Sequence, residues 1–186
     1  RGAKEGDPYY YEILLRMRGS SGEIIPPMAF IPAAERFNQM QTIDRWVIRE
    51  SFSVLRRLMK SHGSGLMTIF SINISGASLC DEKFSVFLQE QLTHYDIPPR
   101  NICFEITETT AISNLSQAVI LIQHFKRLGC KFVLDDFGAG LSSFSYLKNL
   151  PVDGIKIDGV FVKGMATNRM DFTMVESINN IGHTMG

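Results

Sequence analysis

The stretch Lys131–Asp158 constrains the fold more than any other part of the chain. An apolar run ends in two adjacent carboxylates, Asp135 and Asp136, and a second apolar run, Ile155–Ile157, ends at Asp158. A short segment with helical spacing lies between the two runs, which predicts a strand–loop–helix–strand unit. In parallel α/β folds, the carboxyl ends of the strands hold ligands and catalytic groups. The alternative is a simple turn, in which Asp caps a helix and glycine supplies a positive φ.

Similar units recur along the 186 residues, which form one domain or most of a larger one. The other strand-like runs are Tyr9–Met17, Leu66–Ile74 and Asn101–Thr107. Strands alternating with helices predict an α/β fold with parallel strands. An open doubly wound sheet and a closed (β/α)₈ barrel both fit this alternation. No glycine-rich phosphate motif follows a strand, which favours the barrel over a dinucleotide-binding fold.

Apolar residues at steps of three and four predict the helices. One helix is expected from about Ala33 to Lys60, with Trp46 and Val54 in its core-facing stripe, and it ends at Gly63–Gly65. Another is expected after Asp81 as its cap, one runs up to Gly129, and a last one begins near Asp171 after a loop that follows Asp158. Residues 1–8 are expected to form a loop.

Charge and composition narrow the class of function. Lys+Arg and Asp+Glu both number 19, so the formal net charge is zero, and 45% of the residues are hydrophobic. This predicts a globular protein and argues against DNA or RNA as the main ligand, because nucleic-acid affinity depends on an excess of basic residues. The three cysteines form no disulfide or zinc pattern, and we interpret Cys103 as a buried apolar residue. No apolar run approaches the ~20 residues that span a bilayer.

Polar residues lie in or just after several of the predicted strands. They are Glu12, Asn73, Glu105, Asp135, Asp136 and Lys156. A carboxylate inside an apolar strand must be paired, protonated or bound to a cation. Several of them at one rim predict a divalent metal site, and oxygen ligands favour Mg²⁺ or Mn²⁺ over zinc.

The same residues stand in motifs that resemble those of EAL domains. Tyr11–Arg16 (YEILLR) is similar to the signature stretch of that family, with Ile13 where alanine is usual. Further matching motifs are Phe30–Glu35, Asn73–Ser75, Phe104–Glu108, Asp135–Gly138 and Ile155–Asp158. The resemblance implies a modified TIM barrel, incomplete at both ends over residues 1–186, and a bacterial phosphodiesterase that converts cyclic di-GMP to linear 5′-pGpG.

The resemblance also implies a role for each matching residue. Glu12, Asn73, Glu105 and Asp135 would hold one of two Mg²⁺ or Mn²⁺ ions, and Asp135 would bridge to the second beside Asp136. Lys156 would orient a water or the phosphate, and Arg16 and Asp158 would bind the substrate. Glu108 would anchor a mobile loop, Phe137–Tyr146, that is flexible through Gly138 and Gly140. Two such ions could activate a water and neutralise charge on the phosphate.

Partners and setting follow from the same resemblance. A homodimer is expected. Neighbouring sensor or diguanylate cyclase (GGDEF) domains are expected in the full protein. The EAL-like domain is expected to be cytoplasmic, in a protein that could be membrane-anchored elsewhere. The missing C-terminal stretch would carry a further metal-binding glutamate. Two alternatives to the enzyme stay open: an inactive EAL-type receptor that binds cyclic di-GMP and signals to a partner, and a generic metal-dependent barrel hydrolase or lyase.

Overall fold

The structure is a computed structural model that describes residues 8–62, 68–138 and 144–185. The expected loop at 1–7, the helix end at 63–65, the strand start at 66–67 and the loop centre at 139–143 lie outside those ranges. The chain divides into two compact units, residues 1–103 and 104–186. Each unit contains parallel strands and helices, so the predicted α/β class is confirmed.

The described part of the first unit contains a parallel strand pair, a small antiparallel pair and four helices. Strands β1 (Tyr9–Ile13) and β4 (Thr68–Asn73) pair in parallel, and a small antiparallel pair is formed by β2 (Met17–Arg18) and β3 (Ile24–Ile25). The helices are α1 (Pro27–Arg36), α2 (Met40–His62), α3 (Gly76–Leu79) and α4 (Glu82–His94), followed by a 3₁₀ turn, Pro99–Asn101. The core includes Ile48, Phe52, Leu55, Ile72, Phe84 and Leu88.

The second unit continues the alternation. Strand β5 (Ile102–Thr107) begins at the end of the first unit, and β6 (Lys131–Phe137) and β7 (Gly154–Ile157) follow it in the order β5-β6-β7, with β6 and β7 parallel. The helices are α5 (Glu108–Ser113), α6 (Leu115–Leu128), α7 (Gly159–Gly164) and α8 (Arg169–Met185), with a 3₁₀ helix at Phe144–Asn149. The core includes Phe104, Ile122, Phe125, Phe132, Leu134, Phe137 and Ile178.

Local signals set several of these boundaries. Asp81 caps α4 by accepting a hydrogen bond from the Lys83 amide, as predicted. Gly129 ends α6 in the left-handed conformation with φ of 108°, which glycine adopts at little cost. Cys103 is buried, as predicted.

Three local predictions were wrong. The single helix from Ala33 to Lys60 is two helices, α1 and α2, because the backbone turns at Asn38 with a φ of 54°. Trp46 is not a core residue, since 52% of it is exposed, and Val54 is also exposed. The loop expected after Asp158 contains helix α7, because the Asp158 side chain caps it at the Val160 amide.

None of the helices in the described ranges combines the length and apolar character needed to cross a lipid bilayer.

Candidate active site: polar residues at the strand ends

Glu12 and Asn73 lie close together in the first unit. The parallel pairing places Glu12 of β1 opposite Ser71 of β4, and Asn73 is the last residue of β4. The Asn73 side-chain amide lies 3.4 Å from Glu12 Oε1, a long hydrogen bond. Both side chains are exposed. Glu12 is therefore not buried, although its neighbours in the strand sequence are apolar. Two oxygen-bearing side chains from separate strands therefore meet at one place.

Arg16 follows β1 and borders a pocket in the same unit. Its Nη1 donates to the Leu15 carbonyl at 2.8 Å, and the side chain is exposed. The pocket has a volume of about 220 Å³ and is lined by residues 13–16 of the chain and by the α2 face that carries Trp46 and Glu50. A guanidinium at the edge of an apolar pocket can bind an anion by donating parallel hydrogen bonds.

Asp44 is a residue that the sequence analysis missed. It is 6% exposed, and its Oδ2 accepts hydrogen bonds from the Ser75 amide at 3.0 Å and the Ser75 hydroxyl at 2.6 Å. Burial raises the pKa of Asp44, and the hydrogen bonds from Ser75 offset part of that rise. Because Ser75 follows Asn73 by two residues, Asp44 fixes the turn that carries Asn73. No short-range pattern marks Asp44, since its partner lies far along the chain.

In the second unit, Lys156 bridges two of the predicted acidic residues. Glu105 on β5 is only 4% exposed, and its Oε2 lies 2.8 Å from Lys156 Nζ. Asp135 Oδ1 lies 3.5 Å from the same ammonium. A buried carboxylate is costly without a counter-charge, and here Lys156 supplies one. The structure therefore brings together Glu105, Asp135 and Lys156, as their positions at the strand ends predicted.

A β-bulge explains how two adjacent aspartates end strand β6. Leu134 pairs with Ile155 and Phe137 with Ile157, so β6 uses three steps where β7 uses two. The extra residue changes the alternation: Leu134 and Phe137 are buried, whereas Asp136 is exposed. Asp136 adopts a φ of 52°, a left-handed conformation that Asp tolerates better than most residues. The strand thus includes both aspartates, in agreement with their predicted positions in or just after a strand.

The charges around Asp136 are mostly of one sign. Although its side chain is exposed, partial desolvation raises the pKa of Asp136, the negative charges of Asp135 and Asp158 raise it further, and Lys156 acts in the opposite direction. Asp158 itself accepts a hydrogen bond from the Val160 amide at 2.7 Å. Several carboxylates therefore share one nearby lysine, and such a cluster attracts cations.

Glu108 begins α5 and contacts residues on both sides of segment 139–143. Its carboxylate accepts hydrogen bonds from the Gly138 amide at 2.8 Å and the Tyr146 hydroxyl at 2.6 Å. Thr107 caps the helix that starts at Glu108, which fixes the position of its backbone. Tyr146 was missed as a functional residue, since nothing in its local sequence indicates a partner at Glu108.

In each unit, the oxygen donors suit a hard divalent cation by their chemistry. Glu105, Asp135 and Asp136 offer the carboxylate oxygens that Mg²⁺ and Mn²⁺ prefer, and Glu12 and Asn73 offer carboxylate and amide oxygens. Within residues 8–62, 68–138 and 144–185, no three His, Cys, Asp or Glu side chains stand in ion-binding geometry. Lys156 balances the carboxylates of the second unit instead.

A further cavity of the second unit lies apart from the acidic cluster of that unit. It has a volume of about 480 Å³ and is lined by α8 and by the 147–157 segment, including Ile155 and Ile157. Successive side chains of a strand point to opposite faces, so Lys156 and its acidic partners face away from this cavity. The larger cavity is therefore not the site of the acidic cluster.

Comparison with known proteins identifies the family. The profile of the EAL domain matches residues 2–186. This chain belongs to the EAL-domain family. The EAL chain is 44% identical over 178 residues to cyclic di-GMP phosphodiesterase PdeB of Shewanella oneidensis, covering 94% of this chain and 20% of that protein. It is 40% identical over 172 residues to cyclic di-GMP phosphodiesterase PdeF of Escherichia coli, covering 91% and 22%. It thus spans about a fifth of the length of these relatives.

Solved structures agree with this assignment. The EAL chain superimposes on the FimX EAL domain of Pseudomonas aeruginosa bound to c-di-GMP with a TM-score of 0.86 and 33% identity, covering 96% of this chain and 71% of that one. It matches the PaMucR phosphodiesterase in its c-di-GMP complex with a TM-score of 0.86 and 27% identity, covering 94% and 70%. The fold is that of EAL domains and is consistent with part of a modified TIM barrel.

Proposed function

We propose that this EAL chain is part of a phosphodiesterase that hydrolyses cyclic di-GMP to linear 5′-pGpG with two Mg²⁺ or Mn²⁺ ions. Relatives at 44% and 40% identity are named cyclic di-GMP phosphodiesterases, and two structural neighbours are described as bound to c-di-GMP. These findings support the substrate class; the product and the metal requirement are parts of the proposal.

The cluster of Glu105, Asp135 and Lys156 is the observation that carries the proposal. A nearly buried carboxylate within a strand, held 2.8 Å from a lysine that also approaches a second carboxylate, is a costly arrangement for stability alone. The bulge at Asp136 adds a further acidic side chain to the same strand end.

Five residues with oxygen-bearing side chains would hold the metal ions. Glu12 and Asn73 are ligands in the first unit, and Glu105, Asp135 and Asp136 are ligands in the second. When bound, such ions supply Lewis-acid stabilisation of the phosphate charge and a nucleophilic water at neutral pH. Because Lys156 lies against two of these carboxylates, it offsets their mutual repulsion before any ion binds.

The other site residues act on the substrate. Lys156 donates hydrogen bonds from Nζ to a phosphate oxygen or the attacking water, and so orients it. Arg16 is exposed and presents a planar set of donors suited to a phosphate of cyclic di-GMP. We assign Asp158 to substrate binding as well, with its backbone fixed by the cap that it forms on α7.

A turnover assay of the full-length protein tests the proposal. Linear 5′-pGpG should form from cyclic di-GMP with Mg²⁺ or Mn²⁺, and EDTA should stop its formation. Tight binding of cyclic di-GMP without any product, at saturating metal, would instead favour the EAL-type receptor. Equal cleavage of unrelated phosphodiesters would favour a generic hydrolase.

The resemblance to EAL domains also supports two proposals about assembly. We propose a homodimer, and neighbouring sensor or diguanylate cyclase domains in the whole protein. The curated relatives are about five times longer than the segment they share with this chain, which leaves room for such domains. Sedimentation analysis of the purified protein, over a range of concentrations, checks the dimer.

A further inference from the structure

The Glu108 carboxylate joins two segments of the second unit. Glu108 is 3% exposed, so its oxygens depend on protein donors. Within the described residues, its two hydrogen-bond donors are the Gly138 amide, on Oε2, and the Tyr146 hydroxyl, on Oε1. Losing either donor would leave a buried oxygen unsatisfied, which is costly for a charged group.

The backbone at Gly138 is closely packed and directly follows the irregular end of β6. It follows the bulge of β6 by one residue and has a φ of 100°. A Cβ atom at this position would lie 3.0 Å from Ile178 Cδ1 and 3.2 Å from Phe161 Cε2, so the backbone packs directly against α8 and α7. Asp136, two residues earlier, is also left-handed. A residue other than glycine, such as Asp136, keeps a left-handed conformation only when surrounding contacts hold it.

We propose that Tyr146 is a positioning residue for Asp135 and Asp136. Its hydroxyl holds the Glu108 carboxylate in the orientation that accepts the Gly138 amide, and this bond fixes the end of β6 on which both aspartates lie. The inference rests on the proposed function in one respect, namely that the two aspartates are metal ligands. The hydrogen bonds themselves do not depend on that function.

The hydroxyl, rather than the ring, carries this role. The Tyr146 side chain is buried, so its ring also fills space in the core, and phenylalanine would fill the same space. Burial, together with the hydrogen bond to Glu108, raises the pKa of Tyr146, so the hydroxyl is protonated and donates at neutral pH. A Tyr146→Phe change therefore removes the donor and keeps the packing.

Hydrogen–deuterium exchange of the full-length protein without metal provides the first test. In Tyr146→Phe, peptides that cover Asp135–Gly138 should exchange about tenfold faster, because the Gly138 amide loses its fixed acceptor. Tyr95→Phe is the matched control: Tyr95 packs edge-on against Phe52 and His94 in the first unit, and its change should leave those peptides unaffected. Unchanged exchange in Tyr146→Phe would overturn the proposal, as would loss of the cooperative unfolding transition, which would indicate a general packing role.

A double variant tests whether Tyr146 acts through Glu108. The effects of Tyr146→Phe and Glu108→Ala on exchange should not add, since Glu108→Ala removes the carboxylate through which Tyr146 acts on the Gly138 amide. Additive effects would overturn the proposal.

The second readout is metal dependence of turnover. The Mn²⁺ concentration for half-maximal cleavage of cyclic di-GMP should rise about tenfold in Tyr146→Phe, with little change in KM for the nucleotide. If the wild type cleaves nothing while the exchange effect is present, the proposed function fails and the positioning role stands. If the wild type cleaves cyclic di-GMP and Tyr146→Phe shows normal turnover and unchanged exchange, the proposed function stands and the positioning role fails.

Discussion

Asp44 and Asp81 are aspartates of the first unit whose pKa values shift in opposite directions. Burial raises the pKa of Asp44, which is hydrogen-bonded to Ser75. The hydrogen bond from the Arg45 side chain lowers the pKa of Asp81. A raised pKa in the folded state means that the protonated acid is the form that folding favours.

This difference predicts opposite pH dependences for two Asp→Asn variants. The contribution of Asp44 to stability is fully present below its ordinary pKa of 3.8 and is lost as the pH rises through the higher folded value. The free energy of unfolding of Asp44→Asn should therefore rise relative to that of the wild type as the pH increases from 3.5 to 7. Urea unfolding at several pH values measures this difference.

Asp81→Asn serves as the matched control of opposite sign. The contribution of Asp81 is present above its ordinary pKa and is lost as the pH falls through the lower folded value. Asp81→Asn should therefore lose stability relative to the wild type at pH 7 and match it at low pH. The same trend in both variants would contradict the assignment of these pKa shifts.

The role of only one of these two aspartates, Asp81, could be predicted from the sequence. Asp81 immediately precedes a helical pattern, so its capping role could be predicted from local sequence. The burial of Asp44 depends on Ser75 in another element, and no local pattern contains that information. The same holds for the bond between Tyr146 and Glu108.

At the scale of the element, the bulge in β6 determines where the acidic side chains point. Without the extra residue, the strict alternation that buries Leu134 would bury Asp136 and expose Phe137. The bulge keeps Phe137 in the core and leaves the two aspartates next to each other outside it. The apolar run of the sequence predicts the strand, but it does not predict the bulge, because the register depends on the partner β7.

Substitutions at Asp136 should separate the charge effect from the backbone effect. In protein without metal, Asp136→Asn removes one negative charge from the cluster and tolerates the φ of 52°, so it should stabilise the fold. Asp136→Ala removes the same charge, but alanine pays about 1 kcal/mol in the left-handed region, so this variant should be less stable than Asn by that amount. Thermal and urea unfolding in EDTA measure the order.

Asp96 is the matched control for this prediction. It has the same φ of 52°, but it is an exposed residue just after α4 and forms a surface ion pair with Arg56 at 3.0 Å. The difference between Asn and Ala should be similar at Asp96, whereas the stabilising step from Asp to Asn should occur at Asp136 alone. If Ala and Asn are equally stable at both positions, the left-handed backbone does not limit stability there.

At the scale of the whole molecule, the alternation of strands and helices was sufficient to predict the α/β class. The helix boundaries were less predictable. Asn38 breaks the first long helical pattern by adopting a positive φ, and Asn114 divides another into α5 and α6. The exposure of Trp46 could not be predicted from its apolar character, because helical spacing does not say which face of a helix is covered. The comparison with EAL domains confirms the family that the motifs indicated.

The proposed function can be tested separately at Glu12 in the first unit and at Asp135 in the second. Glu12→Ala and Asp135→Ala should each lower turnover of cyclic di-GMP by about a hundredfold or more, because each removes a proposed metal ligand. Glu12 is exposed, so its substitution should change the free energy of unfolding by less than about 0.5 kcal/mol. Glu90→Ala, a change at an exposed helix position, should leave turnover unaltered. Near-normal turnover in Glu12→Ala would remove Glu12 from the ligand set, and a collapse of stability in the same variant would show that its role is structural.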